Sequence, residues 1–158
     1  MADKFYLKIE SGEVSQNPRK QMHTINNPKN SSFPELKVQL PVAYEGPKGE
    51  NGEFTYTPEH YFIAAISGCF FTTFSVVCSN SSFNYKSLTI EATGTVGTSS
   101  GEKMMEKIDQ IITLTIPSSE REIKAKRILE ITEERCPLAK SVKTKIINHY
   151  NIVFEKEG

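Results

Sequence analysis

The side chains best suited to chemistry at defined positions in this sequence are its three cysteines, Cys69, Cys78 and Cys136. Cys69 sits inside a long uncharged run and follows Gly68, which leaves its backbone and sulfur approachable. Cys136 precedes Pro137. A proline disfavours helical geometry in the residue before it but suits the first turn of a new helix. Cys136 is therefore predicted at the N-terminal edge of a helix, where unpaired N–H groups and the macrodipole favour a thiolate. Cys78 follows Cys69 by nine residues, which at about 100° per residue puts it on the opposite side of a helix. It reads as a buried small hydrophobe. Thiol chemistry by Cys69 and Cys136 stands against the plainer reading that both are core residues, which predicts Cα atoms beyond about 7 Å and no possible bridge.

Other chemistries find less support. The spacing contains no C-x2-C or H-x3-5-H, and His23, His60 and His149 are scattered, so a bound metal is not expected. No G-x-S-x-G or H-E-x-x-H occurs, and the glycines between Gly94 and Gly101 lack the G-K-[ST] of a phosphate loop. Nineteen Lys and Arg balance nineteen Asp and Glu, which argues against a nucleic-acid binder or a polybasic membrane-surface protein. The opening residues, MADKFYLKIE, show no basic segment followed by an apolar run, so a cytoplasmic protein is expected. An odd and sparse set of cysteines also does not suit a secreted disulfide scaffold.

The elements that must position these thiols read as an α+β fold. A length of 158 residues with 37% hydrophobic content suits a single domain over 1–158. Residues 5–10 and 21–26 alternate like strands on either side of the turn signal Asn17-Pro18, a predicted hairpin. Residues 35–44 alternate Leu36, Val38, Leu40 and Val42, with Pro41 marking an edge or bulge. Residues 45–56 form a loop long enough to be functional. The eighteen residues 61–78 carry no charge. Ser67, Thr72, Thr73 and Ser75 dilute that run, which therefore reads as a helix over 58–79 buried nearly all round rather than a membrane span. Thr57 is its predicted N-cap and Pro58 its first helical residue.

Residues 87–96 and 107–116 read as two antiparallel strands joined by a turn at 97–101, giving an antiparallel sheet of at least five strands. A helix capped by Ser118 or Ser119 runs through Arg135, with Glu120 and Glu122 in its first turn. A second helix is predicted over 138–147, and a strand over 148–155 closes the chain. One small sheet covers only one side of the central helix, so an obligate homodimer with two central helices packed together is expected.

The segment Thr57-Pro58-Glu59-His60-Tyr61-Phe62-Ile63-Ala64-Ala65-Ile66-Ser67-Gly68-Cys69-Phe70 closely resembles the central-helix motif of the OsmC/Ohr family, the osmotically inducible protein C and organic hydroperoxide resistance proteins. Cys136-Pro137-Leu138-Ala139-Lys140-Ser141 resembles the family's second Cys-Pro motif, and Tyr44-Glu45-Gly46-Pro47-Lys48-Gly49 looks nearer the OsmC branch. The resemblance spans the chain. It implies an intertwined α+β homodimer with active sites at the subunit interface, acting as a thiol peroxidase without metal, haem or flavin. By motif position, Cys69 would attack the peroxide and become a sulfenic acid, and Cys136 would resolve it as a disulfide. Glu59, from the Pro-Glu motif, and Arg19, from the first hairpin, would favour the thiolate and accommodate the leaving group. An external dithiol, small molecule or protein, would return the electrons.

Ten residues of one helix separate Glu59 from Cys69 by about 15 Å. If both serve one site, Glu59 must come from the partner chain, with the central helices antiparallel. Phe62, Phe70, Phe71 and Phe74 make an apolar pocket around Cys69 plausible, favouring organic hydroperoxides over hydrogen peroxide. The alternative is a non-catalytic module that senses redox state or binds an apolar ligand on the same fold.

Overall fold

A computed structural model describes residues 2–14, 16, 21–39 and 55–156, with Gln39 described by its backbone alone. The expectations placed on Arg19, Asn17-Pro18, Pro41, the Tyr44 to Gly49 motif and most of the 45–56 loop lie outside the described residues. The chain divides into two compact units, Met1–Tyr61 and Phe62–Gly158.

In the first unit, β1 (Lys8–Ser11), β2 (Met22–Asn26) and β3 (Leu36–Gln39) form an antiparallel meander in that order. The predicted hairpin is present: Lys8 lies opposite Asn26 and Ser11 opposite His23. Beyond it the Gly12 N–H donates to the Met22 carbonyl at 3.0 Å. The helix α1 (Pro58–Asn80) begins in this unit and continues into the second. Its start follows the sequence closely. Thr57 Oγ1 accepts the His60 N–H at 3.3 Å, while His60 Nδ1 accepts the Thr57 N–H at 3.1 Å. This is the reciprocal arrangement of a capping box, with histidine in place of the usual glutamate.

The second unit is built on β4 (Ser87–Gly97), β5 (Met104–Ile116) and β6 (Lys145–Phe154), in the order β4-β5-β6. β4 and β5 are antiparallel, as their alternation and intervening turn predict. β5 and β6 are parallel. A parallel pair needs a crossover, which α2 (Glu122–Arg135) and α3 (Pro137–Lys140) supply. Alternate residues of β5, namely Ile108, Gln110, Ile112, Leu114 and Ile116, are almost wholly buried. Ile112, Leu114 and Ile116 join Phe70, Phe74, Val77 and Cys78 of α1 and Ala125, Ile128 and Leu129 of α2 in one core. Each large apolar side chain buried there contributes about 1.5–3 kcal/mol relative to exposure. Gly94 lets α1 approach β4, since a Cβ at that position would lie 2.6 Å from Ile63 Cδ1.

Three expectations about the elements are corrected. Among the described residues there are two three-stranded sheets, one of them mixed, in place of one antiparallel sheet of at least five strands. Alternation reports which face of a strand is buried but not which strand is its neighbour. Within the chain the central helix buries Ile66, Phe70, Phe74, Val77 and Cys78 and leaves Phe71 and Val76 exposed. Next, α2 begins at Glu122, with Arg121 at the N-cap position and no side-chain cap. Neither Ser118 nor Ser119 caps it, and Glu120 Oε1 instead accepts the Asn84 N–H at 3.0 Å. Finally, the helix predicted over 138–147 stops at Lys140, and Ile146 and Ile147 belong to β6. Their β-branched side chains fit the sheet beside Ile108 and Asp109, a pairing set by distant residues.

Candidate redox site

Cys136 joins two helices, following the last residue of α2 and preceding Pro137, the first of α3. Its backbone is extended at φ −67° and ψ 109°, as the residue before a proline requires. The N–H groups of Ala139 and Leu138 reach its sulfur and favour the thiolate. Burial opposes them and is the larger effect, so the Cys136 thiol is pushed above its ordinary range. The helix-edge position was expected to lower it. With only 2% of the residue exposed, desolvation of a thiolate outweighs two N–H dipoles from a helix of four residues.

The Cys69 thiol lies near the Cys136 thiol and raises its pKa further. α1 carries Cys69 and the α2–α3 junction carries Cys136, and all three cysteines are free thiols. Cys69 is partly exposed, and the helix surface at Gly68 is open, with nothing within 4 Å of where a Cβ would stand. Cys78 is buried in the core, where burial, assisted by the Glu120 charge, pushes its thiol up to about 11.

A cavity of about 70 Å³ opens beside Cys136, lined by Ile66 and Phe70 of α1, Gln110 of β5, Glu133 of α2 and Asn148 of β6. It is large enough to hold ordered water. Of Phe62, Phe70, Phe71 and Phe74, the aromatics expected around Cys69, Phe70 alone lines this cavity, Phe74 packs edge-on against Tyr85 with ring centroids 4.8 Å apart, and Phe71 is exposed.

The sequence reading passed over the polar residues of this cavity. Gln110 is 1% exposed, and its side chain is satisfied at both ends. Its Oε1 accepts from Ser67 Oγ at 2.7 Å, and its Nε2 donates to Asn148 Oδ1 at 2.7 Å. Asn148 Nδ2 in turn donates to Glu133 Oε1 at 2.7 Å, which also accepts from Tyr150 Oη at 3.2 Å. The usable signal was a glutamine in a row of Ile and Leu at alternate positions of one strand, since a buried amide needs partners.

Glu59 occupies the first turn of α1, as expected. Its Oε2 is buried and has no hydrogen-bond partner among the described residues. Arg19, the other expected member of the site, lies outside them. Also among the described residues, no three His, Cys, Asp or Glu side chains come together in a way that could hold a metal ion.

A family model described as OsmC-like protein matches residues 49–149. Among solved structures, the chain is similar to an OsmC-like protein from Mycoplasma pneumoniae at 14% identity, with a TM-score of 0.74 and coverage of 97% of this chain and 99% of that one. An OsmC-like protein of unknown function from Vibrio cholerae gives 18% identity and a TM-score of 0.74, covering 94% of this chain and 99% of that one. An organic hydroperoxide resistance protein from Elizabethkingia anophelis gives 15% identity and a TM-score of 0.67, covering 98% and 100%. At such identities the likeness is one of fold. No curated protein sequence matches the chain.

Proposed function

The chain belongs to the OsmC-like protein family, and from that membership we propose a role in peroxide defence, the reduction of organic hydroperoxides by Cys69 and Cys136. The observation that carries this reading is the adjacency of two free thiols brought together from different helices. Similarity in fold to a protein named for organic hydroperoxide resistance supports it.

Cys69, the more exposed of the two and beside the open Gly68 surface, is the thiol that meets the peroxide. Its thiolate attacks one peroxide oxygen, the O–O bond breaks, and the alkoxide leaves as an alcohol after taking up a proton. Cys69 is then a sulfenic acid. Cys136 gives up its proton and attacks the Cys69 sulfur; the S–S bond forms, the S–O bond breaks, and water leaves. A dithiol, small molecule or protein, restores both thiols by exchange and is itself oxidised to a disulfide. A reducing compartment such as the cytoplasm would supply it. The chemistry needs no metal, haem or flavin.

The buried, unpartnered Oε2 of Glu59 suits a cation such as the Arg19 guanidinium, which would favour the Cys69 thiolate. The exposed Phe71 and Val76 of α1 suit a second copy of the chain, so that Glu59 of one protomer serves Cys69 of the other in a homodimer.

The test is turnover of cumene hydroperoxide with dithiothreitol as reductant. Many equivalents should be consumed by the wild type and by Cys78→Ala, and none by Cys69→Ser. Wild-type consumption that stops at stoichiometric oxidation contradicts catalysis and leaves a redox-sensing role for the same thiols.

A further inference from the structure

The hydrogen bonds that surround the cavity run between the two helices that carry the thiols. Ser67, two residues before Cys69 on α1, donates to Gln110 of β5. Gln110 donates to Asn148, its register partner on β6. Asn148 donates to Glu133, three residues before Cys136 and on the last turn of α2. Each of these three bonds is 2.7 Å long, and Gln110, the middle member, is almost entirely buried. In the β5 row that faces the core it is the polar residue among Ile108, Ile112, Leu114 and Ile116. A buried amide in such a row costs stability unless satisfied, and its satisfaction here depends on α1 and β6 holding their places.

We propose that Gln110 is a positioning residue for the thiol pair: through Ser67 on one side and Asn148 with Glu133 on the other, it fixes α1 against the end of α2 and so sets how Cys69 faces Cys136. A disulfide tolerates only a narrow range of separations and dihedral angles, so the position of two helices governs how readily the bond forms. Gln110 touches neither sulfur in this role. It acts through backbone placement, and the quantity it controls is the equilibrium between dithiol and disulfide.

This inference concerns the same thiols as the proposed peroxidase but is measured without peroxide. In buffers of reduced and oxidised glutathione, Cys69 and Cys136 lose two protons and two electrons as their S–S bond forms, and one glutathione disulfide is reduced to two glutathione thiols. The full chain carrying Cys78→Ala provides the reference equilibrium constant. Adding Gln110→Leu should lower that constant about tenfold or more, which is a rise in reduction potential of about 30 mV per tenfold. Glu133→Leu should shift it in the same direction, whereas Glu133→Gln, which keeps a carbonyl acceptor for Asn148, should restore it to within about twofold. Ser67→Ala, a small truncation at a partly buried position, gives a readout if Gln110→Leu fails to fold, and should also lower the constant. Constants for Gln110→Leu or Ser67→Ala that match the reference, or that favour the disulfide more strongly, would overturn the proposal. Peroxide turnover in the wild type fails or succeeds independently of this equilibrium.

Discussion

The Cys69 thiol lies near the Cys136 thiol, and the neighbour makes it harder, not easier, for Cys136 to ionise. Both the hydrogen bond that the Cys136 thiol gives to Cys69 and the Cys69 charge when ionised raise the Cys136 pKa, on top of the burial that dominates. The pair is therefore asymmetric. In the proposed reaction, partly exposed Cys69 would react first, and buried Cys136, whose ionisation is disfavoured, would resolve it.

The raised Cys136 thiol sets the pH dependence of its own reactivity. A thiol alkylates as the thiolate, and a raised pKa keeps the proton in place over the range where free cysteine has begun to ionise. In reduced protein, alkylation of Cys136 by iodoacetamide, followed by peptide mapping, should have its pH midpoint above the ordinary thiol value of 9.0. The midpoint is independent of how slowly the reagent reaches the site. A midpoint below that of free cysteine contradicts the dominance of burial.

Cys78 makes a separate prediction about stability. Its thiol is pushed from 9.0 to about 11 in the folded protein, so the unfolded chain ionises first as pH rises. Its contribution is fully present below about pH 9 and is lost between about pH 9 and pH 11, a loss on the order of 2–3 kcal/mol. Urea unfolding on either side of that window should show a steeper alkaline loss for the wild type than for Cys78→Ala. Parallel losses in the two proteins argue against a shifted Cys78.

Glu59 carries a buried oxygen without a partner among the described residues, and two outcomes distinguish a functional carboxylate from a strained one. If it holds a cation that favours the Cys69 thiolate, Glu59→Gln should slow single-turnover oxidation of Cys69 by about tenfold or more, equivalent to about 1.4 kcal/mol. An unchanged rate, together with a more stable protein, would identify Glu59 as an uncompensated buried charge with no role in the reaction.

Val76 and Phe71 expose 54% and 43% of their surface on a helix whose other face builds the core. Sedimentation should give a dimer for the wild type, and Val76→Asp should shift it to monomer at micromolar concentration. An exposed valine on a monomer would tolerate the change within about 0.5 kcal/mol. A wild-type monomer across that range would remove the shared-site arrangement for Glu59.

Local signals in the sequence recovered the local parts of the fold. The cap at Thr57, the length of α1 and the β4–β5 hairpin all follow from patterns within one segment. The parallel placement of β6 did not, because Ile146 and Ile147 become strand residues only against Ile108 and Asp109. Pro137 correctly signalled a helix start but said nothing about where that helix would end. At the site, the resemblance singled out Cys69 and Cys136, which the fold brings together. The relay through Gln110 was hidden for the same reason as β6: Asn148 becomes its partner through cross-strand register, and Glu133 through helix packing. The expected thiolate at Cys136 failed because a helix edge can be recognised from Pro137, whereas burial depends on everything packed around it.

The most direct test is intact mass with peptide mapping after the reduced protein meets a sub-stoichiometric amount of cumene hydroperoxide. The predicted result is a Cys69–Cys136 disulfide, a mass lower by two hydrogens for each peroxide consumed, and an unmodified Cys78. Three thiols still free after prolonged exposure, or a sulfenic acid on Cys69 that never passes to Cys136, would contradict it.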